Sequence, residues 1–93
     1  MIIGVRSWEL HLAAAHSLKE KRSVIKSLKD RLRREFNVSV AETDHQDSWQ
    51  RAEVTACLVA ADRAHADAML EQVDRFVESN PHVRIVGVHD QRL

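Results

Sequence analysis

The residues with the clearest chemical potential form a periodic row of cations between Ser17 and Phe36. This stretch contains eight lysine or arginine residues and three acidic ones, in a chain whose formal net charge is zero. Cations spaced about 6 Å apart along one side of a helix match the phosphate spacing of a nucleic-acid strand, and binding there releases counterions. The pattern is typical of a polyanion-binding surface and contains no catalytic signature. The row, called the basic stripe below, consists of Lys19, Arg22, Lys26, Lys29 and Arg33.

The same charges have a second explanation within the molecule. A later segment, residues 62–79, carries acidic residues at matching steps. If the two segments faced each other, their charges would neutralise internally, and charged helix faces commonly serve only solubility. The sequence leaves nucleic-acid binding and internal neutralisation both open. The acidic residues are Asp67, Glu71, Asp74 and Glu78.

A polar segment with the sequence DHQDSWQ, Asp44–Gln50, offers oxygen and nitrogen ligands. The spacing of its acidic and histidine side chains matches no zinc or calcium pattern, and turn chemistry alone explains a loop rich in Asp and Ser. We therefore assign it no metal and no cofactor. Because this loop adjoins the basic helix, His45 joins the candidate nucleic-acid surface, whereas packing is the simpler role for Trp49. The candidate ligands considered are Glu42, Asp44, His45 and Asp47.

A basic amphipathic helix positions the stripe. Ser17 and Glu20 form an S-x-x-E capping box, and apolar residues then recur at three- and four-residue steps as far as Phe36. Asn37 is expected to end the helix in the left-handed conformation. Lys21 falls within the apolar arc, so its stem should follow the core edge while its ammonium reaches out to the candidate surface. Asp30 and Arg34 are spaced to pair one turn apart.

The other elements follow from alternating or helical periodicity. Ile2–Leu12 is predicted as the first strand, with a change of parity near Arg6–Ser7 that indicates a β-bulge or burial on both faces. Two more strands are predicted at Val38–Thr43 and Arg51–Ala61. A second helix begins after Asp62, Val83–His89 is the last strand, and Arg92 and Leu93 are expected to fray.

The order β-α-β-β-α-β predicts an α+β fold, a ferredoxin-like split sandwich with a four-stranded antiparallel sheet and both helices on one face. Residues 1–93 form a single domain of 44% hydrophobic and 30% charged residues. No apolar run approaches about 18 residues, which excludes a membrane span, and the first residues alternate in polarity, unlike a signal peptide. We expect a cytoplasmic protein.

The well-known sites of this fold are missing from the sequence. The connection after the first strand, AAAHS, lacks the glycine-rich phosphate cradle and arginine of an acylphosphatase. A single cysteine excludes the C-x-x-C pair of a copper chaperone, and the third strand carries no aromatic residue for stacking bases as RNA-recognition-motif domains do. We therefore expect no enzymatic activity and identify no small-molecule substrate.

Two helices on one side leave the other face of the sheet bare. Apolar residues of the outward parity would expose a patch of several hundred Å², more than monomers usually tolerate. A second copy of the chain would cover it as a homodimer, whereas a monomer remains open if these residues are isolated among long polar neighbours. The candidate interface residues are Ile3, Val5, Cys57 and Val59.

The runs VRSWELHLAAAHSLKEKRSVIKSLKDRLRREFNVSVAE and DHQDSWQRAEV closely resemble the small YlxP-like family of bacterial proteins, which is defined by sequence and lacks an assigned function. The resemblance covers residues 2–88. It implies a ferredoxin-like fold and a gene setting beside translation and ribosome-maturation factors, which favours an RNA or ribosome partner without naming a site. Two hypotheses follow: an RNA- or ribosome-associated module, and a homodimeric protein-interaction or structural module without a nucleic-acid partner.

Overall fold

The computed structural model describes every residue from Met1 to Leu93 and contains the six predicted elements in the predicted order. The strands are β1 (Ile2–His11), β2 (Ser39–Asp44), β3 (Arg51–Ala60) and β4 (Arg84–Arg92), and the helices are α1 (Leu18–Glu35) and α2 (Arg63–Glu78). Neither helix combines the length and apolar character that crossing a membrane would require.

The four strands form one sheet in the order β2-β3-β1-β4, with every neighbouring pair antiparallel. Both helices pack on the same face, α1 nearest β2 and α2 across β1, β3 and β4. Trp8 and Leu10 of β1 are completely or almost completely buried there, as are Ile25, Leu28 and Leu32 of α1. The predicted ferredoxin-like split sandwich is confirmed.

Of the two explanations for the change of parity near Arg6–Ser7, the bulge is wrong, because β1 alternates regularly; Ile3 and Val5 instead lie half-buried on the outer face of the sheet. Its register with β3 runs unbroken from Ile2 to His11. Arg6 occupies an inward position because acidic groups receive its guanidinium: Nη1 lies 2.5 Å from Asp74 Oδ2 of α2. The irregularity lies on the β4 side instead, where the register shifts between Glu9 and Leu10.

The start of α1 is as predicted, but its end differs. Ser17 Oγ accepts a hydrogen bond from the Glu20 amide at 3.1 Å, and Glu20 Oε2 accepts one from the His16 amide at 2.6 Å. The helix ends at Phe36, which is extended at φ −132° while its amide still donates to the Leu32 carbonyl. Asn37 is not left-handed, since His45 is the one non-glycine residue with a positive φ.

The end of the chain is ordered within β4, which contradicts the expected fraying. Arg92 Nε donates to Asp67 Oδ1 of α2 at 2.8 Å, and Arg92 Nη1 lies 3.0 Å from Asp90 Oδ2. These two carboxylates raise the pKa of Arg92, although burial acts in the opposite direction as the largest single effect. Leu93 and Ile3 exchange two backbone hydrogen bonds of 2.9 Å, which continues the sheet to the last residue.

Candidate nucleic-acid interface

The basic stripe lies on the flank of α1 that faces β2, where an open groove separates the helix from this edge strand. We call it the α1–β2 groove. Its volume is about 360 Å³. At four of its five positions the stripe lines this groove, beside the buried arc centred on Ile25, Leu28 and Leu32, whereas Lys19 lines a separate pocket next to the β1–α1 connection. The groove is lined by Arg22, Ile25, Lys26, Lys29, Asp30, Arg33 and Glu42.

Helix α2 packs against a different side of α1. The two helices meet through aromatic contacts, with the Phe36 and Phe76 rings edge to face at 5.6 Å and the Arg31 guanidinium 5.3 Å from the centre of the Phe76 ring. Arg31 is on the side of α1 away from the stripe, because at 100° per residue it lies about 180° around the helix from Arg22 and about 160° from Lys29. The body of α1 therefore stands between the stripe and the acidic helix.

Two acidic residues of α2 have partners in the sheet, and no ion pair joins the two helices. Asp74 receives the Arg6 guanidinium and, at 2.7 Å, the indole N–H of Trp8. Asp67 receives Arg92 at 2.8 Å. The two acidic residues of α2 that form ion pairs thus hold β1 and β4. Internal neutralisation of the stripe by α2 is not what the structure shows.

Asp30 is the acid that does act on the stripe. It lies 2.9 Å from Lys26 and 3.4 Å from Arg33, rather than pairing with Arg34 as the spacing suggested. The hydrogen bond from Lys26 lowers the pKa of Asp30, and the charges of Lys26, Arg33 and Arg34 act in the same direction. Arg33 also donates to the Val40 carbonyl at 2.8 Å.

Lys21 does not reach the surface, and the expectation that its ammonium points outward is wrong. The residue is completely buried. Its Nζ donates to Glu42 Oε2 at 2.7 Å, to the His45 carbonyl at 2.8 Å and to the Arg51 carbonyl at 3.2 Å. A buried ammonium persists when a counter-charge and further acceptors surround it. Lys21 therefore ties α1 to β2 and β3 and offers nothing to a phosphate.

His45 is also separated from the stripe. Its Nε2 lies 3.0 Å from Glu9 Oε2 and 3.3 Å from Arg51 Nη2. Glu9 has the parity opposite to the buried Trp8, so this cluster occupies the sheet face away from the helices. The backbone of His45 is left-handed, at φ 63°, where the chain turns out of β2. The stripe and His45 consequently do not form one surface.

The loop between β2 and β3 holds no metal-type cluster, since no group of three or more His, Cys, Asp or Glu side chains is placed to bind an ion. Trp49 in this loop is 54% exposed and belongs to neither hydrophobic cluster, so the packing role expected for it is wrong. Its neighbours in sequence, all polar, were the available sign that it does not enter the core.

The bare face of the sheet brings the four candidate interface residues together. Ile3 is the cross-strand partner of Val59, and Val5 is the partner of Cys57, so all four share one face. Val59 is 64% exposed, and the other three are half-buried. Leu93, which is 61% exposed, extends the row because it pairs with Ile3. Sequence reasoning missed Leu93 because the end of the chain was expected to fray.

The fold and these surfaces define a small ferredoxin-like α+β domain with a cationic helix flank. Residues 3–90 match the family described as "Protein of unknown function (DUF503)", and the chain belongs to this family. It is 37% identical over 82 residues to "Uncharacterized protein YlxP" of Bacillus subtilis (strain 168), which covers 88% of the chain and 89% of that relative. The resemblance to the YlxP-like family is thereby confirmed.

Two solved structures of designed proteins share the fold. De novo designed protein Foldit4 superposes with a TM-score of 0.53 at 14% identity, covering 100% of this chain and 97% of that one. De novo designed protein LFR1 1, described as having a ferredoxin fold, gives a TM-score of 0.54 at 15% identity and covers 100% and 83%. These likenesses concern the fold alone.

Proposed function

We propose that this protein is a non-enzymatic cytoplasmic module that binds RNA, free or within the ribosome, through the α1–β2 groove and the adjacent loop after β2. The observation that carries the proposal is the separation of charges described above. Four of the five stripe cations line the groove beside β2, whereas the acidic residues of α2 that form ion pairs are bonded to Arg6 and Arg92.

The groove has a net positive charge that is open to a polyanion. Glu42 is already neutralised by Lys21, which leaves Asp30 as the one carboxylate opposing four cations along the groove. The ion pairs of α1 involve Lys21, Lys26 and Arg33 only. Three stripe residues are therefore without an acidic partner, and these are Lys19, Arg22 and Lys29.

The length of the stripe suits a nucleic-acid backbone. From Lys19 to Arg33 the helix rises about 21 Å at 1.5 Å per residue, enough to follow several consecutive phosphates. Neutralising four or five phosphates of a single strand predicts that the logarithm of the binding constant falls with the logarithm of salt concentration at a slope of about −3. Affinity should thus be measurable at low salt and weaken steeply toward physiological salt.

The test is fluorescence polarisation with a labelled single-stranded RNA between low and physiological salt. The variant carries Arg22→Glu and Lys29→Glu, since neither residue has an ion pair whose loss would complicate the result. We expect it to lose binding by at least about tenfold at low salt, with a shallower salt slope, because two phosphate contacts are replaced by repulsion.

A matched control reverses two exposed arginines of α2, Arg63→Glu and Arg75→Glu, which changes the net charge by the same amount away from the groove. This control should bind RNA with most of the wild-type affinity. Any loss that it does show measures the general effect of the changed net charge. Equal losses in both double variants would show that the groove is not the binding surface. No binding of the wild-type protein even at low salt would refute the function itself.

A second candidate function is supported by the apolar row on the bare sheet face. We propose, as the alternative, a protein-interaction module that associates with a second copy through Ile3, Val5, Cys57 and Val59, extended by Leu93. Val59 and Leu93 lie at opposite ends of one cross-strand row with Ile3 between them, and both are more than half exposed. Covering such a row removes apolar area from water, which favours association.

Sedimentation equilibrium at several loading concentrations tests this alternative. The wild-type protein should show a monomer–dimer equilibrium in the micromolar range, and Val59→Lys should shift it strongly toward monomer by placing a charge in the buried row. Val88→Lys is the control, because Val88 is also exposed but pairs with Trp8 on the other parity. A single species of 10.7 kDa at all concentrations would refute the dimer.

A further inference from the structure

We propose that the RNA bound by this protein is single-stranded and that one unpaired base stacks on the indole of Trp49. This inference rests on the proposed RNA-binding function and specifies the class of RNA that the site prefers. It is carried by three observations: the exposure of Trp49, the anchoring of the loop that holds it, and the position of that loop at the end of the α1–β2 groove.

Trp49 is the one Trp or Phe side chain that packs neither in the core nor between the helices. Trp8 is fully buried with its indole nitrogen bonded to Asp74, and Phe36 and Phe76 pack against each other between the helices. Trp49 is 54% exposed and lies outside both hydrophobic clusters. Every nucleobase has a π-face, so an exposed indole provides a sequence-tolerant stacking platform.

Hydrogen bonds anchor the loop on both sides of Trp49 in sequence, so the backbone that carries the ring is fixed. Before it, the Ser48 amide donates to the His45 carbonyl at 3.0 Å, and that carbonyl also accepts from Lys21 Nζ. After it, Gln50 Nε2 donates to the carbonyls of Ala13 and Ala15 at 3.2 and 3.3 Å. A pre-organised aromatic loses less conformational entropy on binding than one on a free loop.

The same contacts place the loop beside the first turns of α1. Gln50 is joined to Ala15, just before α1, and Gln46 of the loop donates to the carbonyl of Glu42, a residue that lines the α1–β2 groove. Arg22 lines the groove together with Glu42 and is the first of the groove cations in sequence. A strand whose phosphates follow the stripe therefore reaches the loop at the amino-terminal end of α1.

Single-stranded RNA is the class that uses both features together. In a duplex the bases are stacked on one another and their faces are not available, whereas the bases of loops and single strands are free to stack on aromatic side chains. A groove of cations that tracks phosphates, followed by an exposed indole, matches the general arrangement of sequence-tolerant single-strand binders. A duplex would contact the stripe alone.

Intrinsic fluorescence at low salt gives a direct readout with an unlabelled oligouridylate of about twelve nucleotides. Saturating RNA should quench the exposed Trp49, whereas the Trp49→Phe variant, in which only the buried Trp8 emits, should show little change. Competition polarisation supplies the affinities. Trp49→Ala should weaken oligouridylate binding roughly fivefold or more, consistent with the loss of one stacked base, and should leave the affinity for an RNA duplex of the same length unchanged.

Trp49→Phe should retain most of the single-strand affinity, because a phenyl ring still stacks. Val88→Ala, a truncation at another exposed apolar residue, should bind like the wild type, and far-ultraviolet circular dichroism should show all variants folded. If oligouridylate binds with a steep salt dependence but leaves the fluorescence and the Trp49→Ala affinity unchanged, stacking on Trp49 is refuted while RNA binding stands. If neither RNA binds at low salt, both proposals are refuted.

Discussion

The buried lysine of α1 gives the sharpest stability prediction. Lys21→Met keeps the apolar stem and removes the ammonium, which leaves Glu42 with a side chain only 15% exposed and no counter-charge. The carbonyls of His45 and Arg51 lose the same donor. Removing one partner of a buried ion pair lowers the free energy of unfolding by about 3 to 5 kcal/mol. The total free energy of unfolding of a domain of this size is about 5 to 15 kcal/mol. We expect a loss of about 3 to 5 kcal/mol.

Urea unfolding at pH 7, followed by far-ultraviolet circular dichroism, measures this free energy. The matched control is Lys19→Met, which makes the same change at an exposed position two residues earlier and should cost under about 0.5 kcal/mol. A further variant, Lys21→Met with Glu42→Leu, removes both charges and should recover a large part of the loss, because the remaining penalty is then confined to the two carbonyls.

Unfolding of Lys21→Met and Lys19→Met at the same urea concentration would refute this prediction. That result would mean that the ammonium of Lys21 is not enclosed by Glu42 and the two carbonyls. A double variant no more stable than Lys21→Met would also contradict the reasoning, because the unpaired carboxylate of Glu42 would then not be the main cost.

Two further predictions concern the core and the ion pairs of β4. Leu28→Ala should cost about 2 to 5 kcal/mol in urea unfolding, whereas Lys29→Ala should cost under about 0.5 kcal/mol; similar costs would place the buried arc of α1 in another register. The hydrogen bond from Arg6 holds the pKa of Asp90 below its usual range, against the opposing effect of burial. Ionised Asp90 therefore stabilises the fold above its unfolded pKa, near 4, and this contribution disappears as pH falls. In acid titrations of stability, Asp90→Asn should flatten the decline below about pH 4, and an unchanged decline would contradict the assignment.

The sequence predicted the order of elements because each has an unambiguous local period. The S-x-x-E box predicted the start of α1, and alternation identified the inward parity correctly for β3 and for β1 from Trp8 onward. The bulge predicted near Arg6 shows the limit of this reasoning. Alternation by residue type treats an inward arginine as an irregularity, whereas the structure supplies Asp74 and Asp90 as its partners. Those carboxylates come from distant parts of the chain, and no local pattern indicates them.

The expected positions of the Lys21 and His45 side chains were wrong for the same physical reason. A helical wheel shows that Lys21 points toward the core. Whether its ammonium turns out to solvent or stays buried depends on the hydrogen-bond acceptors around it, which β2, the loop after β2 and β3 supply. Proximity in sequence likewise places His45 beside the basic helix, while the left-handed turn at His45 directs its ring to the other face of the sheet. Both outcomes are set by tertiary contacts that the sequence pattern does not contain.

The choice between a binding surface and an internally neutralised one depended on which sides of the helices meet. Matching 3-4 periods on α1 and α2 are equally compatible with cations facing acids and with the two rows turned apart. In the fold, the aromatic contact between Phe36, Phe76 and Arg31 occupies the side where the helices approach each other. Asp67 and Asp74 are drawn to the arginines of β4 and β1. A chain with no net charge therefore carries a separated cationic flank, because Asp67 and Asp74 of α2 pair with arginines of the sheet instead of covering the stripe.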